Sequence, residues 1–174
     1  MKLALVYRGL LHANGSKDEK QQIRRQFHKQ LRELWKTAPF SPEPESFYQP
    51  VGPFNFVPLI VSSREEIAKV HITMLRPEPP GNIVSQGGDI DNRLKTLFDS
   101  LTKPQVGDIP SGDAPGEDEN PFFCLLENDN LITEVSVVTD QLFEPCERSF
   151  VNLLIQVQIE KIQMIWGHMQ ILLS

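Results

Sequence analysis

The chain has 174 residues, of which 40% are hydrophobic, and its formal net charge is −6 at pH 7. That length allows one domain with a substantial core and is short for two domains. The negative charge argues against a protein that coats nucleic acid without selectivity, because such proteins bind phosphates through an excess of Lys and Arg.

The first predicted element is a strand over Lys2–Leu10, followed by a turn at Asn14-Gly15. The start of the chain has one lysine and a short apolar run, which favours a strand over a signal peptide. No stretch reaches the roughly 20 apolar residues of a membrane helix. Cys124 and Cys146 lack the spacing of a zinc site. We therefore expect a cytoplasmic protein with reduced cysteines and no membrane contact.

Residues 16–36 predict an amphipathic helix that starts with an S-x-x-E capping box, Ser16 to Glu19. This segment holds seven Lys or Arg residues against three Asp or Glu residues. Its exposed side is either an ordinary solvated face or, in a nuclease, a surface for backbone phosphates. The residues predicted to contact nucleic acid are Lys17, Lys20, Arg24, Arg25, Lys29 and Arg32 on this helix, and Arg93 further along the chain.

Between Pro39 and Pro58, six prolines alternate with aromatic residues. Proline interrupts helices and central strands, so we expect a long ordered loop here. Its aromatic side chains should pack on the core, although they could instead stack on unpaired bases. The alternating residues Lys69–Leu75 predict a strand that leads into the next motif.

The most informative motif runs from Asp89 to Lys95 and reads D-I-D-N-R-L-K. Apolar residues continue at helical spacing to Leu101, so a helix should begin near Asp91. Ionised carboxylates are stable at the positive end of a helix dipole, and their oxygens are ligands for Mg²⁺. The alternative is structural: Asp91 caps the helix and pairs with Lys95, and Asp129 is a turn residue.

Residues 104–126 predict an acidic, Gly- and Pro-rich loop insertion. Strands are then expected over Leu131–Val138 and Val151–Ile159, with Asp129 at the mouth of the first. Residues 161–174 form an apolar tail that should pack against this subunit or a second one.

The ordered pattern D-x-D-N-x-x-K, then an apolar helix ending in F-D-S-L-T-K, then an N-D pair before a β-rich segment resembles the RusA family of Holliday junction resolvases. Asp89, Asp91, Lys95 and Asp129 match the four functional positions of that family. The resemblance implies that the three aspartates bind Mg²⁺ or Mn²⁺ and that Lys95 contacts the scissile phosphate. It also implies a homodimer that acts on four-way DNA junctions.

This chain departs from the family pattern in two places. Residues 83–88 read I-V-S-Q-G-G where the family tends to have arginines, which weakens the expected local hold on phosphates. The second departure is the acidic insertion over residues 104–126.

We therefore expect one α+β domain over residues 1–174, with a mixed sheet and two main helices. It should act as a Mg²⁺-dependent endonuclease that resolves four-way junctions in recombination and repair, and its three aspartates should converge on one acidic pocket. Two alternatives remain open: a noncatalytic DNA-binding or adaptor protein on the same fold, and a nuclease for another branched or single-stranded substrate.

Overall fold

Seven strands and two α-helices make up the structure, a computed structural model that describes residues 1–37, 44–79 and 90–162. In chain order they are β1 (Lys2–Leu10), α1 (Lys17–Trp35), β2 (Gln49–Val51), β3 (Phe54–Ile60), β4 (Glu66–Arg76), α2 (Ile90–Leu101), β5 (Phe122–Leu126), β6 (Ile132–Gln141) and β7 (Phe150–Lys161). The expected α+β class with two main helices is confirmed, and the strands form two mixed sheets where one was expected. Asp89 and most of the predicted tail, residues 163–174, lie outside the described residues.

The larger sheet has the strand order β1-β7-β4-β6, in which β4 and β6 are parallel and the other pairs antiparallel. Alternate residues of β4, including Val70, Ile72 and Met74, are buried on one face, as the sequence alternation predicts. Apolar residues of both helices, such as Phe27 and Leu97, belong to the same core cluster. The helices therefore pack on this face of the sheet.

The smaller sheet, β2-β3-β5, corrects the loop predicted over residues 39–58. Phe54 and Phe56 lie in β3 and are buried, so the expected core packing of these aromatics is confirmed. Pro58 is tolerated inside β3 because β2 pairs only with Phe54–Phe56 and leaves that side of β3 unpaired beyond them. β5 likewise corrects the loop predicted over residues 104–126, since it lies inside that range. The sequence did not indicate this strand, because a strand with every residue buried shows no alternation.

Helix α2 runs between two ends of the molecule. Near its start, Arg93 Nη2 is 3.5 Å from Glu78 Oε1, just beyond the end of β4. At its other end, the Lys103 amide donates to the Leu126 carbonyl, where the chain leaves β5. The loop before α1 joins the middle of α2, since the Gly15 amide donates to Thr96 Oγ1 at 2.9 Å.

Both cysteines of the chain are free. Cys124 is buried in β5, and burial raises the pKa of its thiol to about 12. Cys146, between β6 and β7, is partly exposed. Within residues 1–37, 44–79 and 90–162, neither helix combines the length and apolar character needed to cross a membrane.

Candidate functional site

The start of α2 carries two exposed charges of opposite sign. Asp91 lies in the first turn and Lys95 one turn later, and both side chains are exposed. Neither makes an ion pair or side-chain hydrogen bond to another described residue, and Asp99 pairs instead with Lys20. The Asp91–Lys95 ion pair that the structural alternative requires is therefore absent. No other described residue therefore keeps either group from a ligand in solvent.

Arg93 is buried, because it lies on the side of α2 that packs inward. Its Nη2 atom and the Nε atom of Arg148 each lie 3.5 Å from the same oxygen of Glu78. Burial lowers the pKa of Arg93, and Glu78 partly offsets that effect. The Arg93 guanidinium is therefore not exposed for the predicted contact with nucleic acid.

Asp129 opens a short 3₁₀ turn, Asp129–Leu131, between β5 and β6. The side chain of Asn128 accepts a hydrogen bond from the Asn130 amide at 3.1 Å and so fixes the turn. The Asp129 carboxylate is exposed and makes no ion pair or hydrogen bond to another described residue. It faces a polar cavity of about 600 Å³, here called the Asp129 cleft. Charged residues line that cleft: Lys20, Arg24, Asp99, Lys103, Asp108 and Glu127.

Much of the other charge in the Asp129 cleft holds neighbouring elements together. Lys20 Nζ lies 2.6 Å from Asp99 Oδ2 and so joins α1 to α2. Arg24 is 2% exposed and donates to the Asp99 carbonyl, one of the last carbonyls of α2. Glu127 accepts hydrogen bonds from the Ser62 hydroxyl and amide, and these lower its pKa although burial opposes them.

One chain places Asp91 and Asp129 at opposite ends of α2. Asp99, which lines the Asp129 cleft, lies eight residues after Asp91, about 12 Å further along the helix axis. The sheet gives the same result: Ala68 near the start of β4 pairs with Ile132, just after Asp129, whereas α2 starts beyond the far end of β4. The expected convergence of these two carboxylates does not occur within one chain. Among the described residues, no group of three Asp, Glu, His or Cys side chains is arranged to hold a metal ion.

The cations predicted along α1 are mostly engaged inside the protein. Arg25 pairs with Asp113 and Glu119, and Arg32 contacts Asp118, all three from the acidic insertion. Arg24 and Lys20 belong to the Asp129 cleft. Of the six, Lys17 and Lys29 are exposed without an ion pair to any described residue. The predicted basic surface is therefore largely neutralised by carboxylates that the sequence places about 90 residues away.

Three acids of the Asp129 cleft were not predicted as site residues: Asp99, Asp108 and Glu127. Asp99 could have been found, because it follows Asp91 and Lys95 at a spacing of four residues and so lies on the same side of α2. Asp108 could not, since only the fold brings its loop beside the end of α2.

A comparison with protein-family models gives no match, and a comparison with curated proteins gives none either. The resemblance to the RusA family therefore rests on the motif residues of α2 and on Asp129.

Proposed function

We propose that this protein is a Mg²⁺-dependent endonuclease that cuts four-way DNA junctions as a homodimer. The observation that supports the proposal most directly is the start of α2, where Asp91 and Lys95 of the D-x-D-N-x-x-K motif are exposed and have no partner among the described residues. A carboxylate offers hard oxygen ligands to a divalent ion, and a free ammonium offers a partner to a phosphate. One exposed stripe therefore supplies both kinds of group.

The donor chemistry of Asp91 and Asp129 fits Mg²⁺, but their separation within one chain does not. A two-fold dimer with antiparallel α2 helices would solve this problem, because it sets the start of one helix beside the end of the other. Asp89 and Asp91 of one subunit would then share an ion with Asp129 of the partner subunit. Mg²⁺ held there supplies an activated water and neutralises charge on the scissile phosphate.

Lys95 would contact a nonbridging oxygen of the same phosphate. Its ammonium then stabilises the negative charge that develops as the phosphodiester bond breaks. The exposed Lys17 follows the Gly15–Thr96 contact, so it lies at the start of α1, near the middle of α2. From there it can bind the backbone of the strand that is cut.

The first test is cleavage of a four-way junction in Mg²⁺, with linear duplex as the control substrate. We expect cleavage of the junction, no cleavage of the duplex, and loss of activity when a chelator is added. Junction binding without cleavage in either Mg²⁺ or Mn²⁺ would favour the noncatalytic adaptor. Cleavage of single strands or other branched DNA in preference to junctions would correct the substrate.

The second test asks whether two chains share one site. Asp91→Asn and Asp129→Asn should each be inactive alone. After the subunits exchange, half of the dimers are mixed and each mixed dimer keeps one intact site, so up to about a quarter of the wild-type activity should return. If each site belongs to one chain, mixing the variants restores nothing.

A further inference from the structure

We propose that the flank of α1 formed by Arg25 and Arg32 is a binding surface for the phosphate backbone of DNA, and that the acidic segment 110–119 covers it as a removable internal competitor. This inference rests on the DNA-binding part of the proposed function. It concerns which surface the DNA backbone uses and what controls access to it.

Every contact between this flank and the segment has its donor on α1 and its acceptor on the segment. Arg25 donates to Glu119 Oε1 at 2.9 Å, to Asp113 Oδ1 at 2.8 Å and to the Ala114 carbonyl at 3.2 Å. Arg32 Nη1 lies 3.3 Å from the Asp118 carbonyl and 3.2 Å from its Oδ1 atom. The segment thus presents a row of oxygen acceptors, most of them negatively charged, to two guanidinium groups.

A DNA backbone presents the same pattern, since each phosphate offers negatively charged oxygens and no donors. Guanidinium groups bind carboxylates and phosphates through the same planar arrangement of N–H donors. Asp113, Asp118 and Glu119 therefore occupy the positions that phosphates would take on this flank.

The segment is held in a way that permits replacement. Its backbone hydrogen bonds are local, such as Asp113 to Pro110 and Glu119 to Gly116. Among the described residues, no backbone–backbone hydrogen bond joins residues 110–119 to another element. Among the described residues, its hydrogen bonds and ion pairs to α1 are the arginine contacts and one hydrogen bond between His28 and the Asp118 carbonyl. The Arg25 side chain remains 29% exposed, so salt and competing anions reach these contacts.

The test compares two substitutions that remove the same charge from the same segment. Glu119→Gln weakens the contact with Arg25 and keeps the size of the side chain. Glu117→Gln is the matched control, because Glu117 is exposed and has no ion pair or side-chain hydrogen bond to a described residue. Binding of a junction is measured in Ca²⁺, so that cleavage does not interfere, across a range of salt concentrations.

We expect Glu119→Gln to tighten binding by roughly three- to tenfold, because one partly exposed ion pair no longer competes. The dependence of log affinity on log salt should become steeper, since in the wild type salt also weakens the Arg25–Glu119 pair that DNA must displace and so offsets part of the salt effect. Glu117→Gln should change neither quantity appreciably. Adding Arg25→Gln to Glu119→Gln should return the affinity to that of the wild type.

Hydrogen exchange gives a readout that does not depend on a variant. Addition of DNA to the wild-type protein should speed exchange at the Asp113 and Glu119 amides, because their local turns lose the support of Arg25. If Glu119→Gln does not fold, Asp113→Asn should give a smaller gain in affinity in the same direction.

Equal gains from Glu119→Gln and Glu117→Gln would overturn the inference, because the effect would then be one of net charge alone. Unchanged affinity in Glu119→Gln would overturn it as well. Neither result contradicts the proposed nuclease activity. Conversely, junction binding without cleavage would contradict only the proposed nuclease. Absence of DNA binding at low salt would contradict both the proposed nuclease and the proposed binding flank on α1.

Discussion

The outer face of α2 and the flank of α1 both carry several charges, but the charges differ in what they contact. On α2, Asp91 and Lys95 are exposed and have no partner among the described residues. On α1, Lys20 and Arg25 each pair with a carboxylate from elsewhere in the chain. The number of charged residues on a helix therefore does not indicate its availability for ligands. The elements that pack beside the helix determine that availability.

This difference separates two kinds of mutation. An exposed charge without a partner contributes little to folding, so its removal should affect function alone. A partly buried pair that joins two elements contributes to stability, so its removal should lower the free energy of unfolding.

The largest effect is expected from Asp91→Asn on the open face of α2. Loss of a metal-ligand charge should lower the cleavage rate by more than about a hundredfold. The free energy of unfolding should fall by less than about 1 kcal/mol, since the side chain bonds to no other described residue. The measurements are single-turnover junction cleavage and urea unfolding.

Asp18→Asn is the matched control for Asp91→Asn, because Asp18 is also an exposed acid in the first turn of a helix. It should cleave junctions at the wild-type rate. An Asp91→Asn protein that cleaves equally well would remove Asp91 from the site.

A smaller effect is expected from Lys95→Ala on the same face. Turnover should fall by roughly tenfold or more while junction affinity in Ca²⁺ changes little, because this ammonium acts mainly as negative charge develops. Stability should change by only a few tenths of a kcal/mol. Single-turnover cleavage at saturating protein checks this, and a rate equal to the wild type would assign Lys95 to the solvated surface.

On the paired side, Asp99→Asn should show the opposite behaviour. It removes the charge that holds Lys20 at 2.6 Å and so weakens the link between α1 and α2. We expect a loss of about 1 kcal/mol in the free energy of unfolding and near wild-type cleavage. A variant that unfolds as the wild type does but cannot cleave would place Asp99 among the functional residues.

The smallest effect concerns pH and His28, which anchors the acidic insertion. His28 Nδ1 accepts a hydrogen bond from the Phe123 amide, so Nε2 must carry the proton that it donates to the Asp118 carbonyl. Burial lowers the pKa of His28 below its usual 6.5. The unfolded chain thus takes up a proton first, so stability is complete above pH 6.5 and falls as the pH drops from there toward the folded pKa.

Urea unfolding at a series of pH values between 5 and 7.5 measures this loss for the wild type and for His28→Gln. The variant should lose less stability across that interval, even if it is less stable at every pH. Parallel curves for the two proteins would show that His28 does not titrate between the folded and unfolded states.

Local sequence patterns predicted the elements whose burial is one-sided. β4 has alternating buried and exposed residues, and α1 starts at the predicted Ser16 cap, whose side chain accepts from the Glu19 amide. They failed at β3 and β5, because both strands are buried along nearly their whole length and show no alternation. A proline in β3 added a false loop signal.

The candidate site was predictable only in part for a related reason. Asp91, Lys95 and Asp129 could be named from a local motif, because Asp91 and Asp129 each lie at the start of an element and Lys95 follows Asp91 by one helical turn. Their spatial arrangement depends on the direction of α2 across the sheet, which no local pattern encodes. The same holds for the pairing of Arg25 with Asp113 and Glu119, which requires the insertion to return to α1.

The two natural cysteines allow subunit pairing and exchange to be measured by spectroscopy without any engineered residue. A maleimide reacts with the thiolate, and the buried Cys124 thiol, with a pKa of about 12, scarcely forms one. A dye should therefore attach at the partly exposed Cys146 alone. Cys146 lies two residues before Arg148, which shares Glu78 with Arg93 near the start of α2. Energy transfer between a donor-labelled and an acceptor-labelled chain would thus report subunit pairing and exchange from the Asp91 end of the molecule.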